Sequence, residues 1–558
     1  MTASSQCADA LASAVGRATP ENFTPHTSPR QVVNGFNSWL ARCAGDELKE
    51  LTLSDATQQM LSPNALRYVA AARFTVNDAV YLRDALLLKS MTEVLWKSAD
   101  NQEEQKIATE EERIQRLFEE VVRNVSLMPS DRKRIPVGLF EVLLTGTGTA
   151  EDRAWVFAEA LRQRKIDAVL LVSDTPVEQA ENTEPDPVDS LGNAAILMAV
   201  VLENNVVLFD PAGGTAAMNR SPEGQPATVS LEDLNRHPRW KQSSVQIVAQ
   251  PCAFAPRMYV LEQNLLAKYS AVLYEELAGG TTGIRPLVDR IAGLRQTDGA
   301  DRRVLVWSYP EQQIDGFNSL QEEQRAEYTM LLRPFDAPFE RNPLKQTSLP
   351  LPQGVDPNTL TEDEKMALKL ENLRLRTQEL ASSADELFGR ESRRLLTTRI
   401  RQLNGEEPEQ LIPSFQQVAI GSRQESISIE ILNERGETEI RNFPMPEMIR
   451  QVHQSATGNA IYWTAMCQLS RGSHGTGVAT FRSYRRQFPE GDWIFPSMLH
   501  EAASLRGMGN TEACLEILHE ADRPENPERI RVRRMLAILA AETRPPEESN
   551  VADPPPAE

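Results

Sequence analysis

The sequence predicts an α+β protein in several parts: a helical N-terminal subdomain, an α/β core, a long helix followed by a β-hairpin, and C-terminal helical repeats. Three observations predict it. Between Val137 and Gly214 a helical pattern gives way to three short apolar runs. From Thr361 a capping-box signature opens the longest helical pattern of the chain, and Ser426 to Ile440 then alternates apolar and polar residues. From Ile461 onward, small and apolar residues recur 34 positions apart.

The chain has 558 residues, enough for three or four domains. Its apolar content of 41% and charged content of 25% are those of a globular protein. The net charge of −20 disfavours non-specific nucleic-acid binding, which needs a basic footprint, and favours solubility. No continuous apolar stretch is long enough for a membrane helix. The first residues, MTASSQCADALASAVGRATPENF, lack a basic start and an apolar centre, so they do not read as a signal peptide. That leaves a cytoplasmic address for the sequence as it stands, or the cell envelope where a leader has been removed.

The five cysteines are widely spaced, with no C-x-x-C, so a disulfide framework or structural zinc site is not expected. The six histidines show no H-x-x-x-H or H-E-x-x-H spacing, and no metal or other cofactor is expected.

In order, residues 1–28 read as poorly ordered. Residues 29–112 form the helical subdomain. A helix from about Asn77 to Trp96 starts after Thr75, with Asp78 three residues on. The core spans 113–340. It opens with an amphipathic helix carrying Ile114, Leu117, Phe118, Val121 and Val122 on one face. Thr149 to Asp152 spells another helix start, and Ala154, Phe157, Ala158 and Leu161 follow on one face. Ala168 to Val172, Ile196 to Leu202 and Val206 to Phe209 read as buried strands. The acidic stretch 173–193 reads as an exposed loop. Beyond Gly214 the pattern stays α/β. Val229 to Leu234 and Pro256 to Tyr274 read as helices, and Val245 to Val248 and Val304 to Tyr309 as strands. The glycines at 279–283 lack the Lys-Ser/Thr of a phosphate loop.

Residues 341–360 read as a proline-rich linker, and 361–455 as the long helix plus hairpin. Within that helix Met366, Leu370, Leu373, Thr377, Leu380, Ala384 and Leu387 follow a heptad spacing. An intrachain helical hairpin and self-association through Met366–Leu387 fit that spacing equally. Residues 456–542 carry the repeats, with pairs such as Ala479/Ala513, Phe481/Leu515 and Gly475/Gly509. Residues 543–558 read as a disordered tail.

Residues 110–215 resemble the core of the transglutaminase-like (papain-like) superfamily. Gly148, Ala154, the segment Lys165-Ile166-Asp167-Ala168, and Asp210-Pro211 carry the resemblance, together with the upstream helix RIQRLFEEVVRNVSL. In that family a cysteine opens the core helix, the second strand carries a histidine, and an aspartate ends the third. Here Ala150 stands at the cysteine position, and the strand from Ala194 to Val200 contains no histidine. Asp210 remains, with the bland alternative of bonding turn amides ahead of Pro211. The C-terminal unit AASLRGMGNTEACLEILHEA similarly resembles a tetratricopeptide repeat.

The resemblance implies a bacterial pseudoenzyme that binds a protein or peptide through a degenerate cleft and its helical repeats. No catalytic residue is assigned; Ala150 and Asp210 mark the degenerate triad positions. The alternative is a cysteine peptidase or transglutaminase-type acyl transferase in which Cys43, Cys252 or His237 enters the cleft from elsewhere.

Overall fold

The computed structural model describes residues 3–23, 29–43, 55–98, 108–174, 186–248, 296–335, 361–432 and 438–543, short breaks within these stretches aside. It is a mixed α+β chain with a small central sheet and a mostly helical C-terminal region. Among the described residues, no helix is long and apolar enough to cross a membrane.

Helices α1 (Ala3–Arg17), α2 (Pro29–Cys43), α3 (Asp55–Met60), α4 (Pro63–Val69) and α5 (Val76–Ser98) come first. Two sequence expectations are corrected here. Residues 1–28 include α1, and Ala14, Ala18 and Phe23 are buried with Phe36, Trp39 and Leu82. A disulfide, moreover, joins Cys7 to Cys43. The 36-residue spacing looked too wide to pair. Packing brings the start of α1 beside the end of α2, with the two Cα atoms 5.6 Å apart. The expected start signal of α5 is present: Asp78 accepts from the Thr75 hydroxyl at 2.7 Å.

The middle of the chain holds α6 (Glu110–Asn124), β1 (Ser126–Leu127), α7 (Leu139–Thr145), β2 (Thr147–Gly148) and α8 (Ala150–Arg162). The main sheet is built from β3 (Asp167–Ser173), β4 (Ile196–Val201), β5 (Val206–Asp210), β6 (Thr215–Ala216), β9 (Ser243–Ile247) and β12 (Val304–Val306), in the order β12-β9-β3-β4-β5-β6. Within this sheet, among the described residues, only β12 and β9 pair in parallel. Successive side chains of a strand point to opposite faces, and both faces are covered. Leu170, Met198, Val200 and Phe209 join the cluster of α6 and α8, where the Phe118, Phe157 and Phe209 rings meet. Val169, Leu171, Leu197, Ala199 and Leu208 pack with Leu191, Leu234 and Trp240. Those three come from α9 (Ser190–Asn193), α10 (Leu231–Arg236) and α11 (Pro238–Lys241). This double covering is why β4 reads as a continuous apolar run.

Short pairs, β7 (Met218–Arg220) with β8 (Pro226–Thr228) and β10 (Gln296–Thr297) with β11 (Ala300–Asp301), decorate the sheet. Helices α12 (Tyr309–Asn318) and α13 (Glu322–Leu332) follow it. The expected helix at 256–274, the glycines at 279–283, Cys252, the linker and the final tail lie outside the described residues.

The long helix α14 (Glu362–Leu403) begins at the expected capping box, with Thr361 and Glu364 bonded reciprocally, and stops before Gly405, whose φ is 78°. It leads into α15 (Pro408–Gly421) and the hairpin β13 (Ser426–Leu432) with β14 (Thr438–Pro444). Met366 and Leu370 are 58% and 61% exposed. Helices α16 (Glu447–Ser470), α17 (His474–Gln487), α18 (Ile494–Gly507), α19 (Thr511–Ala521) and α20 (Arg529–Thr543) complete the chain. Gly509 takes a positive φ in the turn before α19. Its counterpart is Gly472, not Gly475, which lies inside α17.

One hydrophobic cluster runs from α5 through α6, α7 and α8 to α14, α15 and α16, and on to Phe481, Tyr484 and Trp493. At its centre Arg399 is buried 3.5 Å from the Trp463 ring centroid. It donates to Asn124 Oδ1 at 3.0 Å and to the Leu143 carbonyl at 2.8 Å. Burial lowers its pKa to about 9.

Candidate functional site

The start of α8 organises the site. Thr149 and Asp152 bond each other's backbone amides, so the helix begins at Ala150 as its sequence predicts. Asp152 is fully buried and accepts from Arg134 Nε at 2.7 Å and from the Tyr309 hydroxyl at 3.0 Å. Burial and the neighbouring carboxylate raise the Tyr309 pKa, so its hydroxyl stays a donor. Ala150 is half-buried and opens onto a cavity of about 1030 Å³, walled by Leu127, Met128, Arg132 and Ile530.

A second cavity, of about 590 Å³, shares part of that wall. Leu127, Met128, Ile135, Met330, Phe335 and Trp493 give it an apolar lining. Arg132 and Asp492, 3.5 Å apart, stand at its rim. The two spaces share Leu127, Met128, Pro129, Arg132 and Pro527, and form one groove between the sheet-bearing region and the C-terminal helices. Junctions of this kind are favoured places for ligands, and the smaller space falls in the usual size range of a binding pocket.

Asp210 ends β5 and is 1% exposed. Its Oδ1 accepts from the Gly213 amide at 2.8 Å, the turn bond that the sequence allows. Its Oδ2 receives Arg534 Nη2, from α20, at 2.9 Å. Arg534 also donates to Thr215 Oγ1 at 2.8 Å and to the Pro187 carbonyl at 3.1 Å. Gly213 is required here, because a Cβ would fall 1.8 Å from Arg534 Nη1. One turn into α8, buried Arg153 donates to the carbonyls of Val125 at 2.6 Å and Pro211 at 3.1 Å, and pairs with Glu528. Glu528 also accepts from the Leu127 amide at 2.8 Å. Two buried ion pairs therefore fasten the C-terminal region, through Glu528 and Arg534, to the first turn of α8 and the end of β5.

Of the other candidate residues, Cys43 and His237 lie in other parts of the structure. Cys43 is held in the disulfide with Cys7. His237 caps α10 near Trp240, beside Asp189, and burial lowers its pKa. The free cysteines among the described residues, Cys467 and Cys514, are buried, and burial pushes the Cys467 thiol up to about 12. A thiol in that state is not a nucleophile at neutral pH. Among the described residues no cluster of three or more His, Cys, Asp or Glu side chains could hold a metal ion.

Sequence reading missed Arg153, Glu528 and Arg534. The available signals were an arginine inside the apolar run of α8, and the Gly213-Gly214 pair, which makes room for incoming side chains. No family model, curated protein or solved structure matches the chain.

Proposed function

We propose that the chain is a non-catalytic protein with a transglutaminase-like core and tetratricopeptide-like helices packed on it. In this reading it binds an extended peptide segment of a partner protein in the groove beside Ala150. The observation that carries the reading is the Asp210–Arg534 ion pair. Arg534 engages the one triad position that the sequence retains, and it comes from the C-terminal helices. The order helix, strand, strand, strand ending in Asp210 supports the likeness to the family core. The groove's apolar floor and mixed-charge rim suit a peptide chain better than a small charged substrate.

The test uses the full-length chain panned against a random 12-residue peptide library, with retained peptides measured by fluorescence anisotropy. Peptides whose binding drops at least tenfold in Met330→Glu and Met128→Glu support the reading. Enrichment of no peptide, or binding unchanged in both variants, removes the groove. The acyl-transfer alternative is tested on the same preparation. Amine incorporation into a glutamine-bearing peptide, or peptide cleavage, that is blocked by a thiol alkylator would replace pseudoenzyme with enzyme.

A further inference from the structure

The wall of the smaller cavity contains a strand edge with unused backbone groups. Strands β1 and β2 pair in parallel, Ser126 beside Thr147 and Leu127 beside Gly148. The Ser126 amide donates to the Gly146 carbonyl at 2.8 Å, and the Met128 amide to the Gly148 carbonyl at 2.9 Å. Those two acceptors flank Thr147. Peptide groups alternate in direction along a strand, so the N–H and C=O of Thr147 itself face away from β1. Neither has a hydrogen-bond partner among the described residues. On the far edge of the pair, Glu528 already takes the Leu127 amide at 2.8 Å. Thr147 and Gly148 line the cavity together with Met330, Leu331, Phe335 and Trp493. A bare edge beside an apolar floor is a template for one more strand.

The charges on the same lining are uneven. Its three arginines each have a carboxylate partner: Arg132 has Asp492 at 3.5 Å, Arg134 has Asp152 at 2.7 Å, and Arg523 has Glu520 at 3.5 Å. Glu327 of α13 and Glu490, just ahead of α18, also line the cavity. Both are exposed and have no ion-pair partner among the described residues. The charge left over on the lining is therefore acidic, in a chain whose net charge is −20.

We propose that the groove takes an extended basic–apolar peptide, which adds to the edge of β2 as a further strand. This inference rests on the groove reading above and gives the partner segment its chemistry. The peptide main chain donates to the Thr147 carbonyl and accepts from the Thr147 N–H. Successive side chains of a strand point to opposite faces. An alternating segment therefore offers apolar side chains to Met330, Leu331 and Phe335, and lysine or arginine to Glu327 and Glu490. The net charge draws any basic peptide towards the chain, while the edge bonds and the apolar floor select among them.

The test uses the full-length chain and labelled dodecapeptides in fluorescence anisotropy. Three are alternating lysine–valine, glutamate–valine and lysine–serine. Two more are lysine–valine peptides in which the amides of either the lysines or the valines are replaced by esters. Lysine–valine should bind, with glutamate–valine and lysine–serine at least tenfold weaker. One ester set alone should weaken binding roughly three- to tenfold, the worth of a lost hydrogen bond, because only one edge of the added strand meets β2. Glu327→Gln with Glu490→Gln should weaken binding roughly two- to fivefold and reduce its salt dependence. Lysine–serine binding as tightly as lysine–valine shows diffuse attraction to an acidic surface, and equal tolerance of both ester sets shows that no strand is added; either result overturns the inference. Library peptides that lose affinity in Met330→Glu but carry no basic residue also overturn it, while leaving the groove reading in place. Sedimentation showing a dimer that Met330→Glu dissolves gives the groove to a second copy of the chain and removes both.

Discussion

Asp84 shows how burial sets chemistry at the level of one side chain. It sits on α5 with Arg83, which lies 4.1 Å from the Phe140 ring centroid and 2.8 Å from the Asp84 carboxylate. Glu141 of α7 faces the same arginine at 3.7 Å, and Glu159 of α8 pairs with Arg162. Burial raises the Asp84 pKa to about 7, and Arg83 only partly offsets it. The sign follows from proton counting. Between the unfolded value of 3.8 and about 7 the folded chain holds a proton that the unfolded chain has lost. This contribution is therefore complete below about 4 and disappears as pH rises through 7. We expect stability to fall with rising pH across that window, by at most about 1.4 kcal/mol per pH unit from this group. Chemical denaturation from pH 5 to pH 8 checks it. The Asp84→Asn variant should flatten the slope, and a slope equal to that of the native chain would remove Asp84 as its source.

Among the elements, α1 and α2 depend most on a single covalent bond. Closing a loop of 36 residues stabilises by about 3–4 kcal/mol through the unfolded chain. Reduction should accelerate amide exchange in α1 and α2 while leaving α8, deep in the main cluster, protected. Denatured, unreduced protein should titrate three thiols, the five cysteines less the two in the disulfide. Five thiols without reductant, or equal exchange acceleration in α8, would contradict that assignment. This element also shows where sequence reading ends. The starts of α5, α8 and α14 were legible because a cap is a local pattern of four residues. Strands β3, β4 and β5 were legible because burial on both faces leaves an unbroken apolar run. The disulfide was not, since it depends on how α1 and α2 pack against each other. At the site, the Asp210 turn bond was readable from Asp-Pro-x-Gly. Its second partner, Arg534, lies 324 positions away and was not.

For the molecule as a whole, the question is whether the C-terminal helices are an independent module. The main cluster answers through shared packing: Tyr462, Trp463 and Trp493 belong to the same core as Phe118, Phe157 and Leu395. The Trp463 and Trp493 rings also press on Gly146, where no Cβ would fit. Onto that apolar contact the chain adds the Asp210–Arg534 and Arg153–Glu528 pairs. Such pairs add little net stability, yet each is costly to break from one side, because the remaining charge stays buried. Asp210→Ala leaves Arg534 with only Thr215 and the Pro187 carbonyl. It should cost about 3–5 kcal/mol, the range for orphaning one member of a buried pair. The cost should appear in one calorimetric transition that carries the sheet and the C-terminal helices together. The double variant Asp210→Ala, Arg534→Met should recover part of the loss, because no charge is then stranded. If Asp210→Ala instead splits the melt in two, with α16 to α20 unfolding first, the C-terminal helices are a separable domain latched on by Arg534.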